Sequence, residues 1–351
     1  MEDNSVAAIY NLINRSDRFL VVVSRPVDPD CVGTGLAVRW WLEQQQKEAR
    51  VACLFPIPET MQSFPDINLM DLYKPDIFRL PDDHVIILVD GSSWMQFFGP
   101  AWPDIVRRLD RAKIINIDHH EPEDISASIP DCCLNRRTSS TAQLFFESLM
   151  EPSRIHPSSR VADYLYRALL YDTRNFRIEP YPGMYRFADA LLRLGADHLS
   201  AVDTRFSPKE IDFLTWAIAH TEYLPILQTT LLAVSSSHAR ALAASLGAEW
   251  QDYDSLYKEV FLRQVAGYNY GLILIDNRDG TIKLSWRTRS CGSFCSIADV
   301  ARRAGFRAGG HRNAGGGFYQ GDFDQARTLL LASLRKSLQT ANESQDDTGI
   351  A

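Results

Sequence analysis

The 351-residue chain is 45% hydrophobic and 23% charged, an ordinary globular composition, and its formal charge is −7 at neutral pH. That balance excludes a uniformly basic nucleic-acid face, although a local basic patch or a metal could still hold phosphate. The length exceeds what one hydrophobic core usually fills, so two domains are expected, and no apolar run approaches the ~20 residues of a membrane span.

Residues 1–17 read as a polar, partly helical lead-in. Phe19-Leu20-Val21-Val22-Val23-Ser24 is a β-branched run suited to a central strand. A loop follows, held extended by Pro26 and Pro29. It carries Asp28 and Asp30 two residues apart, and then Gly33-Thr34-Gly35 opens a helix reaching about Lys47. The two acids could serve one site, or one each of two neighbouring sites. Arg50 to Phe55 forms a short second strand. Val85-Ile86-Ile87-Leu88-Val89 forms a third, ending in Asp90, and residues 101–111 read as helical.

The next strand, Lys113-Ile114-Ile115-Asn116-Ile117, ends in Asp118-His119-His120. Apolar parallel strands that end in acids and imidazoles place polar groups at the carboxyl tips, where open α/β sheets bind ligands. An acid beside two histidines offers a hard donor and borderline donors together, a mixture suited to Mn²⁺, Fe²⁺ or Zn²⁺. Thr138-Ser139-Ser140-Thr141 supplies N-cap hydroxyls for a helix from Ala142 to Met150. A further helix from about Val161 to Leu170 leads to Asp172. This β-α alternation predicts a doubly wound parallel sheet of the α/β class.

From Ser200 to Leu227 the chain reads as a mostly helical connection. A smaller α/β unit follows, with strands at 229–235, 271–275 and 281–287 and helices near 250–263, 294–304 and 323–339. It holds Arg287, Arg289, Arg302, Arg303, Arg307 and Arg312. It also holds the run Gly309-Gly310-His311-Arg312-Asn313-Ala314-Gly315-Gly316-Gly317. Glycines this dense let backbone approach a ligand closely and present N–H groups to anions. The six cysteines, Cys31, Cys53, Cys132, Cys133, Cys291 and Cys295, form no C-x-x-C pair, and no signal-peptide pattern opens the chain. Reduced thiols and a cytoplasmic location are therefore expected.

Taken together, Asp28 and Asp30, then Asp90, then Asp118-His119-His120, then Asp172 and the glycine-His segment resemble the DHH phosphoesterase family in order and spacing. The resemblance extends over roughly residues 15–325. It points to the branch with a DHH-associated C-terminal domain, which includes RecJ-like exonucleases, short-oligoribonucleotide hydrolases, phosphatases of 3′-phosphoadenosine 5′-phosphate and cyclic-dinucleotide phosphodiesterases. Ser139 to Gln143 and Ser285-Trp286-Arg287 also resemble family segments.

The resemblance implies a metal-binding phosphoesterase domain over 1–200, a helical linker over 201–227, a substrate-binding domain over 228–340 and a disordered tail over 341–351. An active-site cleft would lie between the two domains. It further implies two divalent ions, usually Mn²⁺, with Mg²⁺ or Co²⁺ as substitutes. Asp28 and Asp90 would hold one ion, and Asp30, Asp90, His119 and Asp172 the other. His120, with Asp118, would act at the scissile phosphate. Arg287, Arg289, Gly309, Gly310, His311 and Asn313 would grip the substrate, a nucleotide or short single-stranded oligonucleotide. No membrane partner is expected, and a homodimer is one arrangement left open.

One departure stands out. The family's first motif opens with a His four residues before its first Asp, and here that position is Ser24. A serine hydroxyl is not ionised at neutral pH and ligates metal poorly, so the first ion site is expected to be weakened or empty. The leading expectation is a metal-dependent hydrolase acting on small substrates. The alternative is a one-metal or catalytically silent nucleotide- or single-strand-binding protein. An inorganic pyrophosphatase is a third option, but the second domain lacks the Lys/Arg-rich signature of that branch.

Overall fold

The computed structural model describes residues 2–58, 61–72, 84–109, 113–178, 180–203, 206–247, 250–251, 253–262, 264–289, 295–311 and 313–346. The chain divides into two compact units, Met1–Thr204 and Arg205–Ala351.

In the first unit six strands form one parallel sheet: β1 (Arg18–Val23), β2 (Glu48–Cys53), β3 (Met70–Leu72), β4 (Val85–Val89), β5 (Ile114–Asp118) and β6 (Cys133–Asn135). Their order across the sheet is β3-β2-β1-β4-β5-β6. The chain winds outward from β1 to β3, then returns to lay β4 on the other side of β1. The β1–β4 junction is thus the point where the winding reverses and loops diverge to leave a crevice.

Both faces of the sheet are covered, which explains why its strands read as continuous apolar runs. Phe19, Val21 and Val23 pack on one side with the helices Pro29–Gln44 and Ser159–Thr173, while Leu20 and Val22 pack on the other with Trp94, Phe97 and Phe98. The lead-in is the helix Glu2–Asn14, which buries Ile9 and Ile13 in the first of these cores.

The second unit is a mixed sheet in the order β11-β12-β10-β9-β8-β7. Its strands are β7 (Thr221–Leu224), β8 (Thr229–Val234), β9 (Tyr270–Asp276), β10 (Thr281–Thr288), β11 (Arg307–His311) and β12 (Ala314–Gln320). Only β8 and β9 run parallel; the other neighbours are antiparallel.

Two expectations change here. The stretch 201–227 is not a connecting linker. Phe213, Leu214 and Ala217 of the helix Pro208–Ala219 are buried in this unit's core, and Thr221–Leu224 is its edge strand. The glycine run forms two paired strands, β11 and β12. In them Gly315 lies against Trp286, where an added Cβ would stand 2.2 Å from the ring. Glycine is demanded there by packing. The final helix, Phe323–Asp346, continues through the first part of the segment expected to be a disordered tail, and residues 347–351 lie outside the described residues.

Candidate metal centre

The acids converge because each sits at a strand tip or helix end facing the crevice. Asp28 caps the helix Pro29–Gln44: its Oδ1 accepts from the backbone N–H of Asp30 at 3.0 Å and of Cys31 at 3.1 Å. Asp30, the second residue of that helix, is fully buried and is held by another helix. Its Oδ2 accepts from the N–H of Thr141 at 2.7 Å, and its Oδ1 from the N–H of Ala142 at 3.0 Å. Both donors belong to the start of the helix Thr141–Phe145, where unpaired N–H groups favour an anion.

Asp90 follows β4 with φ +67°, so the chain turns sharply at the tip. Its Oδ1 accepts from Thr141 Oγ1 at 2.8 Å. Asn116, buried within β5, donates to the carbonyl of Gly91 at 2.9 Å and so fixes this turn.

His119 is oriented from behind. Its Nδ1 lies 3.2 Å from the carbonyl oxygen of Thr138. A carbonyl can only accept, so Nδ1 carries the hydrogen and Nε2 is turned toward the acids. That Nε2 lies 3.2 Å from Asp172 Oδ2, 3.9 Å from Asp90 Oδ1 and 4.0 Å from Asp30 Oδ2. Asp172 arrives on the helix Ser159–Thr173, which packs so tightly on Pro29–Gln44 that a Cβ on Gly33 would stand 2.5 Å from the Tyr164 carbonyl oxygen. His120 turns the other way: its Nδ1 pairs with Asp118 Oδ1 at 2.8 Å and lies 3.7 Å from Asp90 Oδ1. Asn135 braces this pair by donating to the carbonyl of His120 at 2.9 Å.

These contacts gather Asp28, Asp30, Asp90, Asp118, His119, His120 and Asp172 at one place. The supports Thr138, Thr141, Asn116 and Asn135 were not singled out as site residues from sequence. Only the N-cap run 138–141 carried a local signal, because a helix start presents donors.

The electrostatics ask for positive charge. Burial, followed by the charge of Asp172, pushes the Asp28 carboxyl up to about 7. The same two causes hold Asp30 well above the ordinary carboxylate range, and burial with the charges of Asp30, Asp28 and Asp172 does so for Asp90. Burial opposes charging of His119, but Asp172, Asp30 and Asp90 outweigh it and hold the imidazole well above its usual value. Asp172 Oδ2 is buried and accepts no hydrogen bond among the described residues. Protons compensate the cluster in the metal-free chain, and a divalent cation fits the same need with the same donors. Among the described residues, ligand atoms lie within 4.8 Å of one another inside each of three groups: Asp30, His119 and Asp172; Asp90, His119 and His120; and Asp28, Cys31 and Asp90.

A pH dependence follows. Carboxyl groups raised by folding stabilise the metal-free fold at low pH, and that contribution is lost as pH rises from about 4 toward about 7 for Asp28. The raised His119 acts in the same direction, its contribution being lost as pH rises through its folded value. The increase in Tm on adding Mn²⁺ to chelated protein is therefore expected to grow between pH 5 and pH 8. Scanning fluorimetry showing the same increase at every pH would contradict it.

In the second unit, Arg287 lies beside Ala314, and Ala314 beside His311, in the strand register. Arg287, Arg289, Gly309, Gly310 and Asn313 thereby collect at one corner of the sheet. Arg287 Nε donates to Glu259 Oε1 at 3.1 Å. The side chain of His311, and Arg312 altogether, lie outside the described residues. Arg25, one residue after Ser24, lies over the Phe55 ring at 5.0 Å.

Residues 18–169 match the DHH family, N-terminal domain, a span that takes in every residue of the cluster but Asp172. An exopolyphosphatase-related protein from Bacteroides fragilis superposes with a TM-score of 0.78 at 20% identity, over 97% of this chain and 98% of that one. This likeness shows the fold. Two looser superpositions add nothing to it. One is a pGpG-specific phosphodiesterase from Vibrio cholerae, with TM-score 0.41, 14% identity, 92% of this chain and 99% of that one. The other is RecJ from Thermus thermophilus in complex with Mg²⁺, with TM-score 0.46, 15% identity, 95% of this chain and 52% of that one.

Proposed function

We propose that this chain is a DHH-family phosphoesterase that uses divalent cations, Mn²⁺ foremost, to hydrolyse phosphate esters of nucleotides or short oligonucleotides. The observation that carries this reading is His119, anchored through Nδ1 by Thr138 and turned through Nε2 onto three acids, inside the segment that matches the family. Asp30, His119 and Asp172, with Asp90, would hold one cation, and Asp28 with Asp90 a second. Such cations supply Lewis acidity to a phosphoryl oxygen and acidify a water.

The chain's own residues do the rest. Thr141 and the first N–H groups of its helix fix Asp30 and Asp90, so the acids need not reorganise during reaction. His120, braced by Asp118, presents its other ring nitrogen to the reacting phosphate, as hydrogen-bond donor or proton donor to the leaving oxygen. Arg287, Arg289, His311 and Asn313, with the backbone at Gly309 and Gly310, hold the remainder of the substrate. Five of the six cysteines are free thiols in the described residues, in keeping with a cytoplasmic setting, and no described helix is long and apolar enough to cross a membrane.

Mn²⁺-dependent turnover is expected on at least one of a dinucleotide, 3′-phosphoadenosine 5′-phosphate and a cyclic dinucleotide. Ser24 favours a second reading: it is buried just beyond β1, and its hydroxyl, not ionised at neutral pH, stands where the family motif has a His. Silence of the wild type on all substrates, with turnover gained by Ser24→His, would replace hydrolysis with silent nucleotide binding. Arg287→Ala is expected to raise KM for the nucleotide about tenfold or more, an effect of ~1.4 kcal/mol, while changing kcat on a small artificial phosphodiester little. Equal losses on both substrates would place Arg287 at the reacting phosphate.

A further inference from the structure

We infer that Cys31 is a metal ligand, forming with Asp28 and Asp90 a sulfur-containing site for a borderline-soft divalent cation such as Zn²⁺ or Co²⁺. The inference rests on the metal-dependent reading of this centre and adds a ligand that changes which metal it prefers.

Cys31 is fully buried, and the usual account of such a residue is a small hydrophobe in a core. Its surroundings do not fit that account. The sulfur stands in one group with carboxylate oxygens of Asp28 and Asp90, all within 4.8 Å of one another. It is also held in place by backbone. Sγ accepts from the N–H of Asp28 at 3.3 Å and lies 3.4 Å from the Asp28 carbonyl and 3.8 Å from that of Ser24. One N–H faces the sulfur and its S–H faces those two carbonyl oxygens, so Sγ is fixed at the helix start as a thiol whose proton a binding cation would displace.

The acids retain free donor capacity. Asp28 receives its N–H bonds through Oδ1. Asp90 is buried and bonded by Thr141 through Oδ1, while its Oδ2 has no hydrogen bond among the described residues. A buried carboxylate with an unused oxygen beside a fixed sulfur is a donor set that lacks its cation. Asp28, only partly buried, gives that set a path to solvent.

Binding is balanced by loss of the thiol proton: one Cys–SH and one M²⁺ give a sulfur–metal bond and one H⁺. Thiolate ligation favours Zn²⁺ or Co²⁺ over Mn²⁺ and Mg²⁺. The chain would then carry two adjoining sites of unequal softness, with Asp30, His119 and Asp172 forming the harder one.

The test is a Co²⁺ titration of the chelated, full-length protein, followed by its near-ultraviolet sulfur-to-cobalt charge-transfer band and by bound cobalt per chain. The wild type is expected to show the band and bind two equivalents. Cys31→Ser should lose the band and one equivalent, whereas Asp172→Asn should lose one equivalent and keep the band. Cobalt bound without a band in the wild type, or a band that survives Cys31→Ser, overturns the assignment and leaves the metal-dependent reading standing. No cobalt bound at all overturns both. Absence of the band in the wild type is decisive by itself, so the assignment can be overturned even if Cys31→Ser fails to fold.

Discussion

Asp90→Asn is expected to lower metal-dependent hydrolysis by about 10³-fold or more, a barrier change of ~4 kcal/mol, while the chain stays folded. Asp90 belongs both to the group with His119 and His120 and to the group with Asp28 and Cys31, so one substitution removes a ligand from each. Asparagine is the right replacement for two reasons. It tolerates the φ of +67° at this position, where alanine would add backbone strain. It also preserves an oxygen to accept from Thr141 Oγ1.

The stability effect has the opposite sign to the activity effect. Burial and three neighbouring acids hold the Asp90 carboxyl well above its usual range. Charging it at neutral pH therefore costs stability in the metal-free chain, and the neutral amide removes that cost. The metal-free variant should unfold at a higher temperature than the metal-free wild type, and should gain less from Mn²⁺. Thermal unfolding with and without chelator, beside the hydrolysis assay, separates the two effects. Retained activity in a folded variant would remove Asp90 from the centre.

Gly33→Ala is expected to damage the same centre without touching a ligand. The added Cβ would stand 2.5 Å from the Tyr164 carbonyl oxygen and 3.2 Å from its carbon, both backbone atoms that no rotamer change can move. The helices Pro29–Gln44 and Ser159–Thr173 must then separate, at a cost of ~1–3 kcal/mol typical of overpacking. Asp30 lies on the first helix and Asp172 at the end of the second, so separation pulls apart the acids around His119. Mn²⁺ affinity is expected to fall by ~10–100-fold, the loss typical when supports behind a metal ligand are removed. Calorimetric titration checks it: an unchanged affinity in a destabilised Gly33→Ala protein would show that the helix spacing does not set the site.

Much of this centre was legible before any coordinates. Strands buried on both faces read as apolar runs, so the acids that end the runs 85–89 and 114–117 stood out as tip residues, and Asp28 and Asp30 as acids of the loop after 19–23. The alternation of such runs with helical segments determined the doubly wound sheet, and the order of Asp28, Asp30, Asp90, Asp118, His119, His120 and Asp172 suggested a family whose N-terminal domain matches residues 18–169. That the glycine run in the second unit forms strands was not legible, because glycine density reads alike for a ligand-binding segment and for a strand that must clear Trp286 at Gly315. Within the mostly helical stretch 201–227, the edge strand Thr221–Leu224 escaped notice because four residues are too short to show a period.

The sequence by itself determined the elements and the acids at their ends, since hydrophobic periodicity and turn residues act over a few positions. Only the tertiary structure decided which donors share an ion, because those contacts join residues far apart in the chain. Thr141 reaches Asp30 and Asp90, Asp172 reaches His119 through a helix packing that depends on Gly33, and the Cys31 sulfur lies with the carboxylate across the junction of β1 and β4.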